Sequence, residues 1–278
     1  MRAWMLSVAA ASVLGSGCVA YNSCEAPVAN PDETVAVLKS GEVIFLDKPW
    51  TRHANNALGQ AAAAAFRDAF SGTNDKADVG VVNGGDLRSE GLCAPRTQIK
   101  ERVLRGMVHE VLLFDNVVYA VNVTEEELLK ALEHSVAPLL PLGPNGENRE
   151  LTGPPARFLQ VDGVTFTADC SKPSGTRVSD VKVNGRALAS PPSSTDMVRV
   201  AMPRFIMEGG DGYSMFVGPG LDASRKPEQA KGLGGTEGRI AADYMFRTYK
   251  NDENPSGPEL SVEPRITFVG CSSPAVPR

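Results

Sequence analysis

The feature that most restricts this chain is a short apolar run, Asp78-Val79-Gly80-Val81-Val82, that passes without a break into Asn83-Gly84-Gly85-Asp86-Leu87-Arg88. A valine-rich run of this length reads as a buried strand. Two adjacent glycines at its end predict a sharp turn with unusual backbone dihedrals. Such a turn lets backbone N–H groups approach a ligand closely, and Arg88 follows as a fork-shaped partner for an anion. A tight turn with a surface arginine is the plainer reading. A second glycine-rich segment, Phe205-Ile206-Met207-Glu208-Gly209-Gly210-Asp211-Gly212-Tyr213, follows a strand-like run at 197–202. There Asp211 either caps a glycine turn or accepts hydrogen bonds from sugar hydroxyls.

Around these two turns the pattern is mixed. Residues 35–46 read as one or two short strands. An alanine-rich helix is expected over 54–70, capped by Asn55 or Asn56. The stretch 98–104 reads as one helical segment, and 111–114 and 117–123 read as strands. Thr124 and Glu127 form a capping box ahead of a helix whose apolar face is Leu128, Leu129, Leu132 and Val136. Proline and glycine make 138–155 a surface loop. Strands are expected at 158–161, 164–168 and 177–183, the last ending in an Asn184-Gly185 hairpin turn. A closing helix at 236–250, capped by Thr236, precedes a strand at 265–269. No regular βαβ alternation emerges.

The chain has 278 residues and a net charge of −5, which argues against wrapping nucleic acid. Arg2, the apolar run 4–14 and the small residues Gly15-Ser16-Gly17 before Cys18 read as an export signal. Three outcomes stay open: lipidation at Cys18, plain cleavage, or a retained anchor. No later run is long and apolar enough to span a membrane. The expected organisation is an export signal at 1–18, a linker at 19–34 and a domain at 35–278. The expected location is periplasmic or as an outer-membrane lipoprotein, touching membrane only through lipid on Cys18. With Cys18 lipidated, Cys24, Cys93, Cys170 and Cys271 allow two disulfides in three connectivities. Cys170 with Cys271 is favoured, since both end strand-like runs.

Two more segments carry chemistry. In Leu113-Phe114-Asp115-Asn116 the ring could stack on a base and the amide could bond its edge, although such a phenylalanine is more often core. Arg52, just ahead of the 54–70 helix, adds charge near a helix N-terminus, or is simply solvated.

The order of these motifs resembles the C-terminal domain of the 5′-nucleotidase family, which includes ecto-5′-nucleotidase and bacterial UDP-sugar hydrolases. The resemblance runs from Arg52 with Leu58-Gly59, through Asn83 to Arg88 and Leu113 to Asn116. It continues with Leu132-Glu133-His134-Ser135-Val136, Phe158-Leu159-Gln160-Val161-Asp162-Gly163 and Arg177-Val178, and ends at Phe205 to Tyr213. It implies an α+β fold of mixed sheets with helices packed between and over them. It also implies roles: Phe114 and Phe205 sandwiching a base, Asn116 on the base edge, Asp211 on ribose hydroxyls, Arg52 and Arg88 on phosphate, and Asn83 beside it. His134 is structural in this pattern.

Family enzymes add a two-metal phosphoesterase half with histidine-rich motifs, and none of these motifs occurs here. The expectation is therefore a binding domain with no catalytic residue, metal or cofactor of its own, working with a separate metallophosphoesterase chain. A non-catalytic envelope module for nucleotides or nucleosides, and a degenerate structural protein, are the alternatives. Asp86 stands where the family has a third glycine and is expected to weaken anion binding. Leu113 and Asp115 stand where the family has proline and glycine, which predicts a differently shaped Phe114 loop.

Overall fold

The computed structural model describes residues 28–72, 75–89, 98–151, 156–231 and 235–274. The expected export signal at 1–18, Cys18, Cys24, Cys93 and most of the expected 19–34 linker lie outside them. Thirteen strands and seven α-helices follow one another along the described chain. They are β1 (Thr34–Val37), β2 (Val43–Phe45), α1 (Lys48–His53), α2 (Ala57–Asp68), β3 (Val79–Asn83), β4 (Gln98–Lys100), β5 (Arg102–Leu104), α3 (Arg105–Val111), β6 (Val118–Thr124) and α4 (Glu125–Val136). Then come β7 (Leu159–Asp162), β8 (Val164–Asp169), β9 (Val178–Val183), β10 (Arg186–Ala187), β11 (Met197–Pro203), α5 (Arg204–Met207), α6 (Val217–Leu221), β12 (Glu228–Gln229), α7 (Glu237–Thr248) and β13 (Ile266–Val269).

A central five-stranded sheet has the order β12-β6-β11-β3-β7. Only β11 and β3 run parallel within it. Its strands alternate between two cores, as period-two geometry requires. Val118 and Ala120 of β6, Val82 of β3 and Ala201 of β11 face the core that holds α2, α3 and α7. Val121, Val123, Val79, Val81, Val198 and Val200 face the other core, with α4 and the second sheet. The α2 face is built from small residues so that helix and sheet approach closely. A Cβ at Gly80 would lie 1.9 Å from the Ala63 carbonyl oxygen. The second sheet, β10-β9-β8-β13, ends in a parallel β8–β13 pair, and two short ladders, β1-β5 and β2-β4, complete the fold. This is the expected α+β class of mixed sheets with helices between and over them.

Local signals place several elements well. Thr124 Oγ1 accepts from Glu127 N at 3.1 Å and Glu127 Oε2 accepts from Thr124 N at 2.7 Å, closing the capping box. Asn184 and Gly185 both take positive φ in the β9–β10 turn. Of the two candidate caps on α2, Asn56 is the one used, accepting from Gly59 N at 3.1 Å. Thr236 occupies the N-cap position of α7 but makes no side-chain capping bond. Cys170 and Cys271, which follow the paired strands β8 and β13, form a disulfide.

Three expectations are corrected. Residues 98–104 are not a helix but two strands, β4 and β5, split at Glu101, whose φ is 65°. They pair with β2 and β1, and these distant partners override the local pattern. Residues 111–114 are not a strand: Val111 ends helix α3, and Leu112 makes a single bridge to Leu87. Gly84 and Gly85 do not adopt positive φ. They are glycines because of crowding: a Cβ at Gly84 would lie 2.2 Å from the Thr51 carbonyl oxygen, and one at Gly85 2.4 Å from the Ala156 Cβ.

Candidate functional site

The register of the central sheet gathers four separated motifs at one edge. Asn83 ends β3 and Phe205 follows β11, the strand parallel to it. Because β6 runs antiparallel to β11, with Val118 opposite Pro203, the Phe114–Asn116 loop enters beside Phe205. Because β7 runs antiparallel to β3, with Leu159 opposite Asn83, Ala156 arrives at the same edge. The carboxyl ends of a parallel strand pair are where ligands most often sit in mixed α/β sheets.

There the chain forms a cavity of about 260 Å³ lined by Asn83, Gly85, Asp86, Arg88, Phe114, Asn116, Ala156, Phe205 and Asp211. Six of the seven residues expected to bind ligand therefore line it. The seventh, Arg52, lies buried in α1, its Cα backed against Gly84, and does not line the cavity. A larger concavity near Trp50 and residues 41–45, about 360 Å³, includes none of these motif residues.

Phe114 and Phe205 are half-exposed, at 51% and 41%, whereas the other phenylalanines are buried or partly buried. Each is held by its surroundings. The Arg88 guanidinium lies 4.9 Å from the centre of the Phe114 ring, a cation–π distance, and Arg88 Nε donates to the Gly85 carbonyl at 2.7 Å. The Phe205 ring rests on Gly210, where a Cβ would come within 2.5 Å of three ring carbons. Asp115 takes φ 48°, so an aspartate holds the left-handed turn expected of a glycine at that place.

Asp211 is fixed from two directions. One carboxylate oxygen accepts from Asn83 Nδ2 at 2.7 Å, and its carbonyl meets His134 Nε2 at 2.8 Å. Gly209, Asp211 and Gly212 all have positive φ, which makes the loop a sharp, glycine-dependent turn. Tyr213 sits fully buried behind it, between His134 and Phe216, with its hydroxyl donating to the Arg157 carbonyl. The Leu132–Val136 motif is thus scaffold. Glu133 accepts from the backbone of Arg177 and Val178, and Ser135 Oγ accepts from Leu159 N. Arg177 in turn donates to the carbonyls of Val136, Ala137 and Leu139 at the end of α4. Gln160 performs the same service opposite, bonding Asn56 N and the Ala54 carbonyl between α1 and α2.

One site residue has no motif to announce it. Glu237, the first residue of α7, is fully buried, and its Oε1 accepts from both the backbone N and the side-chain Nδ2 of Asn116, at 2.9 and 3.0 Å. Burial and the nearby Asp86 push its carboxyl well above the usual range. Asp86 is 2% exposed. Burial, then the Asp211 carboxylate, raise it to about 7 against the opposing pull of Arg88 and Asn83. The wall therefore carries two carboxylates, Asp86 and Asp211, and one guanidinium, Arg88.

Residues 35–218 match the family described as 5′-nucleotidase, C-terminal domain. Among curated proteins, the chain is 32% identical over 184 residues to the trifunctional nucleotide phosphoesterase YfkN of Bacillus subtilis, covering 61% of this chain and 11% of that protein. It is 28% identical over 198 residues to the snake venom 5′-nucleotidase of Macrovipera lebetinus, covering 68% and 40%. Among solved structures, it superposes on the 5′-nucleotidase precursor of Thermus thermophilus with a TM-score of 0.60 at 21% identity, over 85% of this chain and 39% of that one. The NAD nucleotidase of Haemophilus influenzae gives 0.59 at 15% identity, over 86% and 38%. The chain spans well under half the length of each of these proteins. It belongs to the family of 5′-nucleotidase C-terminal domains.

Proposed function

We propose that the cavity binds a nucleoside or nucleotide, with the base stacked on Phe114 and Phe205. The observation that carries this reading is the pair of half-exposed rings, from distant parts of the chain, on one polar-floored cavity. Every base has a π-face, so such a platform tolerates different bases, and a stacking contact is worth about 1–3 kcal/mol. Asn116, anchored by Glu237, offers its amide oxygen to the base edge. Asp211, held by Asn83, offers a carboxylate to the sugar hydroxyls. Calorimetric titration of the purified chain with adenosine, AMP and UDP-glucose tests the reading. At least one should bind, and Phe114→Ala and Phe205→Ala should each weaken that ligand about tenfold while the fold survives. Absence of binding by all three ligands overturns it.

No hydrolytic step is assigned to these residues. Two-metal hydrolysis needs a cage of histidine and carboxylate ligands, and among the described residues no cluster of three or more His, Cys, Asp or Glu could hold a metal ion. We infer that any such chemistry comes from a separate metallophosphoesterase chain meeting this cavity. Adding a metallophosphoesterase encoded beside this gene, with divalent metal, should then release phosphate from AMP faster than the partner does alone. An unchanged rate refutes the pairing and favours the second reading, an envelope module that captures ligand without chemistry, toward which the acidic Asp86 points. Export fits the Cys170–Cys271 disulfide, because such bonds persist in oxidising compartments. Mass spectrometry of the mature N-terminus decides whether Cys18 carries lipid.

A further inference from the structure

Phosphate recognition and sugar recognition make opposite electrostatic demands on a wall. The first needs surplus positive charge, and the second is served by carboxylates. This wall has one basic residue among its described members, Arg88. Its Nε is already committed to the Gly85 carbonyl and its guanidinium to the Phe114 ring. Asp86 lies within electrostatic reach of both Arg88 and Asp211. Any anion drawn to Arg88 inside the cavity is therefore drawn toward Asp86 as well. Asp86 and Asn83 both line this wall, and the Asn83 side chain helps hold the Asp86 carboxylate.

We propose that Asp86 is a specificity-determining residue that makes this cavity select uncharged nucleosides, rich in N–H and O–H donors, over their phosphate esters. The inference rests on the base-stacking reading above and names its ligand class. The charge balance is its basis: among the described residues that line the cavity, two carboxylates stand against one guanidinium, so a phosphate dianion meets net negative charge, whereas a nucleoside brings donors and no charge. The groups facing Asp86 are Asp211, Glu237, Arg88 and Asn83. Two of the three ionisable ones are acids, so none but Arg88 softens its effect on an anion.

The test is a set of titrations at pH 8 with adenosine and AMP, using the wild-type chain, Asp86→Asn and Asp86→Gly. Asp86→Asn removes the charge and keeps the volume, and Asp86→Gly removes both. The wild type should bind adenosine at least tenfold more tightly than AMP. Both variants should shrink that ratio about tenfold or more, chiefly by tightening AMP. A wild type that binds AMP as well as adenosine overturns the proposal. If Asp86→Gly shrinks the ratio and Asp86→Asn does not, bulk rather than charge is responsible and the proposal also fails. A wild type that binds neither ligand overturns this inference, and the base-stacking reading falls with it only if UDP-glucose is not bound either. Folding is checked by the near-ultraviolet dichroism of each variant, and should Asp86→Gly fail to fold, Asp86→Asn alone tests the charge.

Discussion

At the scale of single residues, Asp86 carries the most testable consequence. Its carboxyl is held at about 7 in the folded chain, against about 3.9 when unfolded. The folded state thus binds more protons across that window, so stability falls as pH rises from about 4 to about 7. The penalty is absent below the unfolded value and complete above the folded one. A shift of this size corresponds to at most about 4 kcal/mol. Asp86→Asn carries no such penalty, and it also relieves Glu237, whose own carboxyl Asp86 pushes up. In urea unfolding, Asp86→Asn should match the wild type near pH 4 and be more stable at pH 8. A stability difference that stays flat from pH 4 to 8 would falsify the account. That an apparent loss of a carboxylate stabilises the protein is what a residue kept for ligand selection rather than for folding would show.

At the scale of elements, what could be read from the sequence is what is bonded locally. The capping box of α4 and the Asn184-Gly185 turn are complete within a few residues, so their residue types alone predict them. The strands β3, β6 and β11 were legible because their valines repeat with period two or run unbroken between two cores. What was not legible depends on distant partners. Strands β4 and β5 have three residues each and exist only because β2 and β1 lie beside them. Helix α3 places Val108 and Val111 at helical spacing on one core, with its C-cap Leu112 beside them, yet Gly106 weakens the local signal. The same division holds at the candidate site. Motif order picked out the residues on the cavity wall, but Glu237 acts through Asn116, 121 residues away in sequence, and no local pattern marks it. The paired glycines 84 and 85 mark the turn without the dihedrals that their pairing predicts. They relieve crowding against Thr51 and Ala156 rather than supply positive φ.

At the scale of the molecule, the cavity depends on segments that the Cys170–Cys271 disulfide encloses. The bond closes a sequence separation of 101 residues, and within that loop lie Phe205, Asp211 and Glu237. It joins the ends of the parallel strands β8 and β13 in the second sheet, and neither cysteine lines the cavity. Closing a loop this long removes much of the unfolded chain's freedom, worth about 2–5 kcal/mol. The bond should therefore act on stability and leave recognition alone. The double variant Cys170→Ala/Cys271→Ala should lose about that much in denaturant unfolding and melt roughly 5–15 °C lower. Measured well below its melting temperature, its affinity for whichever ligand the wild type binds should stay within about twofold. A large loss of affinity with the fold intact would mean that β8 and β13 set the geometry of the sheet edge after all. The two sheets would then form one mechanical unit rather than a recognition edge and a clasp that holds its walls together.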